Sequence, residues 1–262
     1  SYDTINLEIK SLFIEGNYNK YDRTVPQTRW PCNSCKGYGC KKCNGTGQLY
    51  PDSVQSLVAE PFIEATSCKE DLFHGMGRED IDAAMLGSGR PFVIELRMPK
   101  FRNLDLNMIE NQINKKNESR IKVTNLKFVE RSRVPELKNT VCDKTYRVDV
   151  SVFREDSIES LKKGAQRLTG TVIEQRTPMR VSHRRADLVR PRLITSIDVT
   201  SFEGNMAEMV IRAQHGTYIR ELVSGDEGRT NPSFSSLVDA TCKVEVLDVL
   251  NLHLDAKEEK HD

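Results

Sequence analysis

Gly75-Met76-Gly77-Arg78-Glu79-Asp80-Ile81-Asp82 sets carboxylates and one arginine among glycines, shortly before a second glycine pair at Gly87 and Gly89. Glycine lets backbone approach a ligand closely and take conformations closed to other residues. A carboxylate on such a loop is a candidate base or nucleophile. Taken alone, Arg-Glu-Asp is also the composition of a solvated charged turn. Two later segments add to its weight, because Tyr146 supplies an aromatic ring and Arg220 a cation. A tyrosine at a strand start can stack on a nucleobase, a contact worth ~1–3 kcal/mol per base. A guanidinium beside a carboxylate favours its ionised form. The plain alternatives are a half-buried sheet tyrosine and a surface salt bridge of little value.

Outward from this loop the pattern alternates between helix and strand. Upstream, Leu12-Phe13-Ile14 has strand character, and Val54, Leu57, Val58 and Phe62 fall on one helical face from a cap at Asp52 to about Thr66. Downstream, 91–96 reads as a strand, Asp105 as the cap of a helix running to about Lys116, and 121–129 as a half-buried strand. Alternation returns at 146–153, Ser157 begins a helix, and 171–174 is a strand. The segments 193–199 and 206–213 form a hairpin around Glu203-Gly204-Asn205, a short helix follows Gly216, and two strands at 242–246 and 250–254 close the chain. Helices and strands mix without regular βαβ alternation. The expected class is therefore α+β, with a mostly antiparallel sheet flanked by helices.

Cys32-x2-Cys35-x4-Cys40-x2-Cys43 is the strongest local signal. Two Cys-x-x-Cys knuckles supply four thiolates, the ligand set of a closed tetrahedral zinc site, so the expected Zn2+ is structural. The alternatives are a reduced cysteine-rich loop or a redox dithiol. Cys68, Cys142 and Cys242 are scattered, and an odd total of seven argues against a disulfide framework.

The 262 residues carry a net charge of +1, with 37% hydrophobic and 29% charged residues, a composition that suits a polar-surfaced globular protein. No apolar run approaches the roughly 20 residues that span a bilayer, and no secretory segment opens the chain, so no membrane and a cytoplasmic location are expected. Between Arg176 and Arg192 stand Arg180, His183, Arg184, Arg185 and Arg190 against one acid, Asp187, which marks a candidate phosphate-binding stretch. The sequence opens on Ser1 rather than Met, so an upstream domain is expected to be missing from it.

Arg78-Glu79-Asp80, Lys144-Thr145-Tyr146 and Gly216-Thr217-Tyr218-Ile219-Arg220 resemble, in that order, the motifs of pseudouridine synthases. Longer strings narrow the likeness: Gly77-Arg78-Glu79-Asp80-Ile81-Asp82, Gly87-x-Gly89-Arg90-Pro91-Phe92, Thr177-Pro178-x-Arg180-Val181-x-His183-Arg184-Arg185 and Gly225-Asp226-x-Gly228-Arg229-Thr230. With Glu15-Gly16-Asn17-Tyr18-Asn19-Lys20-Tyr21 and Pro26-Gln27-Thr28, they are similar to the archaeal and eukaryotic tRNA pseudouridine synthase ten family over residues 10–254. The resemblance implies a pseudouridine synthase fold and isomerisation of uridine in the T arm of tRNA, at tRNA positions 54 and 55, with no cofactor for catalysis. It implies that Asp80 is the essential aspartate, attacking C1′ or removing the C2′ proton, that Tyr146 stacks on the base, and that Arg220 pairs with Asp80. Arg78, Arg176, Arg180, His183, Arg184, Arg185 and Arg229 are the expected RNA contacts. Ala84 and Ser224 depart from the family's usual arginine and histidine.

The expected organisation is an arm and four-cysteine zinc module over 1–50, a catalytic domain over 51–254 and a flexible tail over 255–262, without the family's amino-terminal THUMP-type domain. A monomer of archaeal type, with no obligatory protein partner, is expected. The alternative function is a non-catalytic tRNA-binding zinc-knuckle module or a degenerate synthase.

Overall fold

Leu12-Phe13-Ile14 opens a strand far longer than its three apolar residues predict. In a computed structural model of the chain, which describes residues 8–154 and 157–254 apart from the Arg184 side chain, β1 runs over Leu12–Lys20. Its second half, Tyr18-Asn19-Lys20, is buried although it is polar, which is why hydropathy alone stops too early. The expected tail at 255–262 and the side chain of Arg184 lie outside the described residues.

The described residues fall into two compact units divided between Thr140 and Val141. In the first unit β1 is followed by α1 (Val54–Thr66), β2 (Glu70–Gly75), β3 (Ala84–Arg97), α2 (Leu106–Lys116), β4 (Ile121–Phe128) and α3 (Arg133–Asn139). Its strands pair antiparallel in the order β4-β1-β3-β2. Val54, Leu57, Val58 and Phe62 are buried as their spacing predicts. The cap of α1 is Ser53 rather than Asp52: its hydroxyl accepts from the Ser56 N–H, while Asp52 pairs with Arg120. Asp105 caps α2 as expected, accepting from Met108 N.

Between Tyr18 and Lys20 the β1–β3 register shifts, and β3 bulges around Gly87–Gly89. The second glycine pair is thus part of a strand. At Gly89, with φ +80, an added Cβ would meet the Tyr18 carbonyl oxygen at 2.8 Å, so only glycine lets the two strands close.

The second unit holds β5 (Asp143–Val152), α4 (Ile158–Leu168), β6 (Thr171–Arg176), β7 (Val189–Glu203), β8 (Met206–Ala213), α5 (Ile219–Ser224), β9 (Thr230–Asn231), α6 (Phe234–Val238) and β10 (Cys242–His253). Its strands run antiparallel in the order β10-β5-β8-β7-β6-β9. The two strands expected at the end of the chain are one strand, β10. Register shifts at Val244/Val246 and Val249/Asn251 interrupt its hydropathy pattern without ending its pairing with β5. The α+β class with antiparallel strand pairing and flanking helices is the one observed. Among the described residues no helix is long and apolar enough to cross a membrane.

An aromatic cluster ties three strands of the first unit together. Phe92 stacks on Phe73 at 4.8 Å with an interplanar angle of 13°, and both rings lie about the Tyr18 ring. Phe92 is fully buried. Phe92→Ala should lower stability by about 3–5 kcal/mol, the cost of a lost aromatic plus the cavity it leaves; a urea titration followed by circular dichroism reads this as an earlier midpoint.

Candidate active site

The residues of the Gly-rich loop separate sharply by depth. Arg78, Asp80 and Asp82 are exposed, whereas the Glu79 side chain is 1% exposed. Glu79 lies inside because it has two strong donors there. Arg90 Nε, on β3, reaches its carboxylate at 2.8 Å, and the Tyr18 hydroxyl, on β1, donates to it at 2.9–3.0 Å. Arg90 is itself buried, and its Nη1 donates to the Met76 carbonyl at 2.8 Å. Gln27 Nε2 donates at 2.8 Å to the Tyr18 hydroxyl and at 2.9 Å to the Gly77 carbonyl. Burial, then the neighbouring Glu79 charge, pushes the Tyr18 phenol well above its ordinary value, which keeps it a donor.

Lys20, at the end of β1, completes the floor of the loop. It is fully buried, and its ammonium donates to the carbonyls of Val25 at 3.1 Å, Asp80 at 3.2 Å and Ile81 at 2.7 Å. Burial lowers its pKa, and the charges of Glu79 and Asp82 pull it back up. Arg23 donates to the Asp82 carbonyl at 3.1 Å. The carbonyls of Met76, Gly77, Asp80, Ile81 and Asp82 are thus all held by side chains from β1, β3 and the segment between β1 and α1. The loop is fixed from beneath while Asp80 faces solvent.

In the second unit Tyr146 is half-buried on β5, opposite Ile211 of β8 and Val249 of β10. Arg220 stands on the first turn of α5, half-buried, with Nη1 donating to the Val244 carbonyl at 3.1 Å. Gly216, with φ +78, makes the turn that brings the chain from β8 into α5.

The arginine-rich stretch is partly self-bound. Arg176 grips Asp187 through two hydrogen bonds, of 3.0 and 2.6 Å. Arg229, only 15% exposed, donates to the same carboxylate and to the Thr177 carbonyl. Its guanidinium braces the segment from below. Arg176, then burial and Arg229, set the balance that holds the Asp187 carboxyl below its usual range. Arg180 pairs with the buried Glu221 at 2.7 Å and lies 5.8 Å from the Tyr218 ring centroid, while Arg185 donates to the Tyr218 hydroxyl at 3.0 Å. Arg78, His183 and Arg185 are exposed.

Cys32, Cys35, Cys40 and Cys43 converge, with all four sulfurs within 4.8 Å of one another. Neighbouring separations are 3.7 Å for Cys40–Cys43, 3.8 Å for Cys35–Cys43 and 4.0 Å for Cys32–Cys40. Four sulfurs at about 2.3 Å from one ion would stand about 3.8 Å apart, so this cluster fits a tetrahedral metal. Backbone N–H groups of Gly39, Cys40 and Gly47 point at the sulfurs, each at 3.2 Å. Although burial opposes it, the N–H groups of Cys40 and Gly47 bring the Cys43 thiol down to about 6, favouring the thiolate that a metal needs.

Sequence reasoning named Asp80 but overlooked its supports: Tyr18, Lys20, Gln27, Glu79 and Arg90. Each lies within one of the family-like strings, although neither Lys20 nor Arg90 falls inside the segments read as strand at 12–14 and 91–96.

The chain matches the family profile described as "Pus10, C-terminal" over residues 13–253. It is 48% identical over 251 residues to the tRNA pseudouridine synthase Pus10 of Methanocaldococcus jannaschii, covering 96% of this chain and 55% of that protein. It is 46% identical over 250 residues to the protein of the same name from Methanothrix thermoacetophila, covering 95% and 55%. The chain therefore spans about half the length of these curated relatives. Its fold is similar to that of a chain in the crystal structure of a Cbf5-Nop10-Gar1 complex, with a TM-score of 0.52 at 13% identity, covering 91% of this chain and 48% of that one.

Removing Glu79 would take from the buried Arg90 guanidinium the carboxylate on its Nε. Glu79→Ala should therefore cost about 3–5 kcal/mol of stability, and a double-mutant cycle with Arg90→Met in urea titrations should show strong coupling between the two positions.

Proposed function

The chain belongs to the Pus10 family, whose C-terminal part it matches, and from that premise we propose that it isomerises uridine to pseudouridine in the T arm of tRNA, at position 54, 55 or both. The observation that carries this reading is the presentation of Asp80, an exposed carboxylate on a loop whose main chain is tied to buried cations. A reacting group held in one geometry converts binding into rate, because its orientational freedom is removed before the substrate arrives.

The reaction breaks the N1–C1′ bond, turns the base and forms a C5–C1′ bond. The proton lost from C5 is matched by one gained at N1, so atoms and electrons balance and no cofactor is required for the chemistry. Asp80 either attacks C1′ or removes the C2′ proton. Tyr146 stacks on the base and assists loss of the C5 proton, and Arg220 pairs with Asp80 and orients it. The uridine has to leave its stack first, at a cost of a few kcal/mol. Phosphate contacts from Arg78, Arg176, Arg180, His183, Arg184, Arg185 and Arg229 offset that cost, and such contacts weaken as salt rises. The four cysteines hold one structural Zn2+ that orders residues 30–50. The protein works as a cytoplasmic monomer with tRNA as its partner.

Incubation with an unmodified tRNA transcript, followed by chemical mapping, should show pseudouridine in the T arm. Asp80→Ala should abolish it while tRNA affinity stays within about twofold; robust turnover by that variant, or equal loss from Asp82→Ala in a folded protein, would remove Asp80 from its role. Tyr146→Phe should keep activity that Tyr146→Ala loses, if stacking outweighs the hydroxyl. Metal analysis should find one zinc per chain, and Cys40→Ser with Cys43→Ser should eliminate it; a metal-free wild-type protein would dismiss the structural zinc but leave the chemistry untouched.

A further inference from the structure

We propose that Lys20 is a positioning residue whose buried ammonium fixes the main chain around Asp80 and so sets the geometry in which that carboxylate is offered to substrate. The inference deepens the reading of Asp80 as the catalytic carboxylate and rests on it.

An ammonium has three N–H donors. Those of Lys20 meet three main-chain carbonyls, of Val25, Asp80 and Ile81, at 2.7–3.2 Å. Two of these belong to the catalytic loop, and one belongs to Asp80 itself. Lys20 ends β1, whose partner strands place its Cα on either side against Met85 of β3 and Ile121 of β4. The anchor is therefore part of a paired sheet and does not move with the loop. The carbonyl carbon of Asp80 is bonded directly to the Cα that carries the carboxylate side chain, so holding that carbonyl restricts where the side chain can point.

The choice of residue argues for the same role. A fully buried ammonium bonded only to neutral carbonyls is a costly way to fill space. Where a buried charge serves packing alone, an apolar side chain of similar volume is often as stabilising or more so. Methionine or leucine would fill a similar volume, but neither could hold two successive carbonyls of a turn. Across the loop, the Glu79–Arg90 pair holds its other end through the Met76 carbonyl. The two buried cations, Lys20 and Arg90, thus grip the loop on both sides of Asp80, and a displacement of the order of 1 Å at such a group can cost about 10²-fold in rate.

The test is Lys20→Met in the full chain. Its single-turnover rate constant for pseudouridine formation should fall about 10²-fold, with tRNA affinity within about twofold and thermal stability retained. Lys20→Ala should regain part of its rate on addition of ethylammonium, which restores the donors, and not with an equal concentration of tetramethylammonium, which has none. Hydrogen exchange of peptides covering 76–83 should accelerate in Lys20→Met while other peptides keep their protection. Should Lys20→Met fail to fold, Glu79→Gln, which keeps the shape and weakens the hold on Arg90, should show the same selective exchange with a smaller fall in rate. Wild-type rate together with wild-type exchange in Lys20→Met would overturn the proposal, as would a rate loss that merely tracks the unfolded fraction. If the wild-type protein forms no pseudouridine, the catalytic reading fails, and the exchange measurement still decides whether Lys20 fixes the loop.

Discussion

A carboxylate and a guanidinium buried side by side, Glu79 and Arg90, organise the most distinctive region of this protein. Neither would be tolerated there alone, since an isolated ion loses its hydration and gains nothing in return. The Tyr18 hydroxyl and the Arg90 guanidinium both donate to the Glu79 carboxylate, which fixes all three side chains. The network makes one arrangement of the loop more favourable than its alternatives. The sheet supplies the foundation, because Tyr18 and Lys20 come from β1 and Arg90 from β3.

The same logic separates the arginines of the second unit into two kinds. Arg229 is drawn inward and binds Asp187 and the Thr177 carbonyl, so its charge is largely used within the protein. Arg180 and Arg185 converge on Tyr218, one near its ring and one at its hydroxyl, while remaining exposed enough to meet a phosphate. A net charge of +1 therefore conceals a local cationic surface, partly neutralised by the acid that shapes it. The cysteine module follows a third pattern. Its backbone N–H groups point at the sulfurs of Cys35 and Cys43, and at Cys43 they favour the thiolate.

Several elements show where hydropathy is a sound guide and where it is not. Helix α1 was legible because Val54, Leu57, Val58 and Phe62 bury one stripe against the rest of its unit. The hairpin of β7 and β8 was legible because Gly204-Asn205 turns the chain between alternating strands. Strand β10 was read as two because its register shifts interrupt a regular period, and β2 and α3 were not read at all. Strand β1 was cut short because its final residues are polar and buried, a combination that is stable only with partners from distant parts of the chain.

The sequence by itself determined the α+β class, the family, the spacing of four thiolates and the identity of the candidate carboxylate, because each is written in residue types at short range. Tertiary structure decided which of two adjacent acids faces solvent and which is buried. The physical reason is that the depth of Glu79 depends on donors from Tyr18 and Arg90, 61 and 11 residues away in the chain, which only the pairing of β1 with β3 brings to one place.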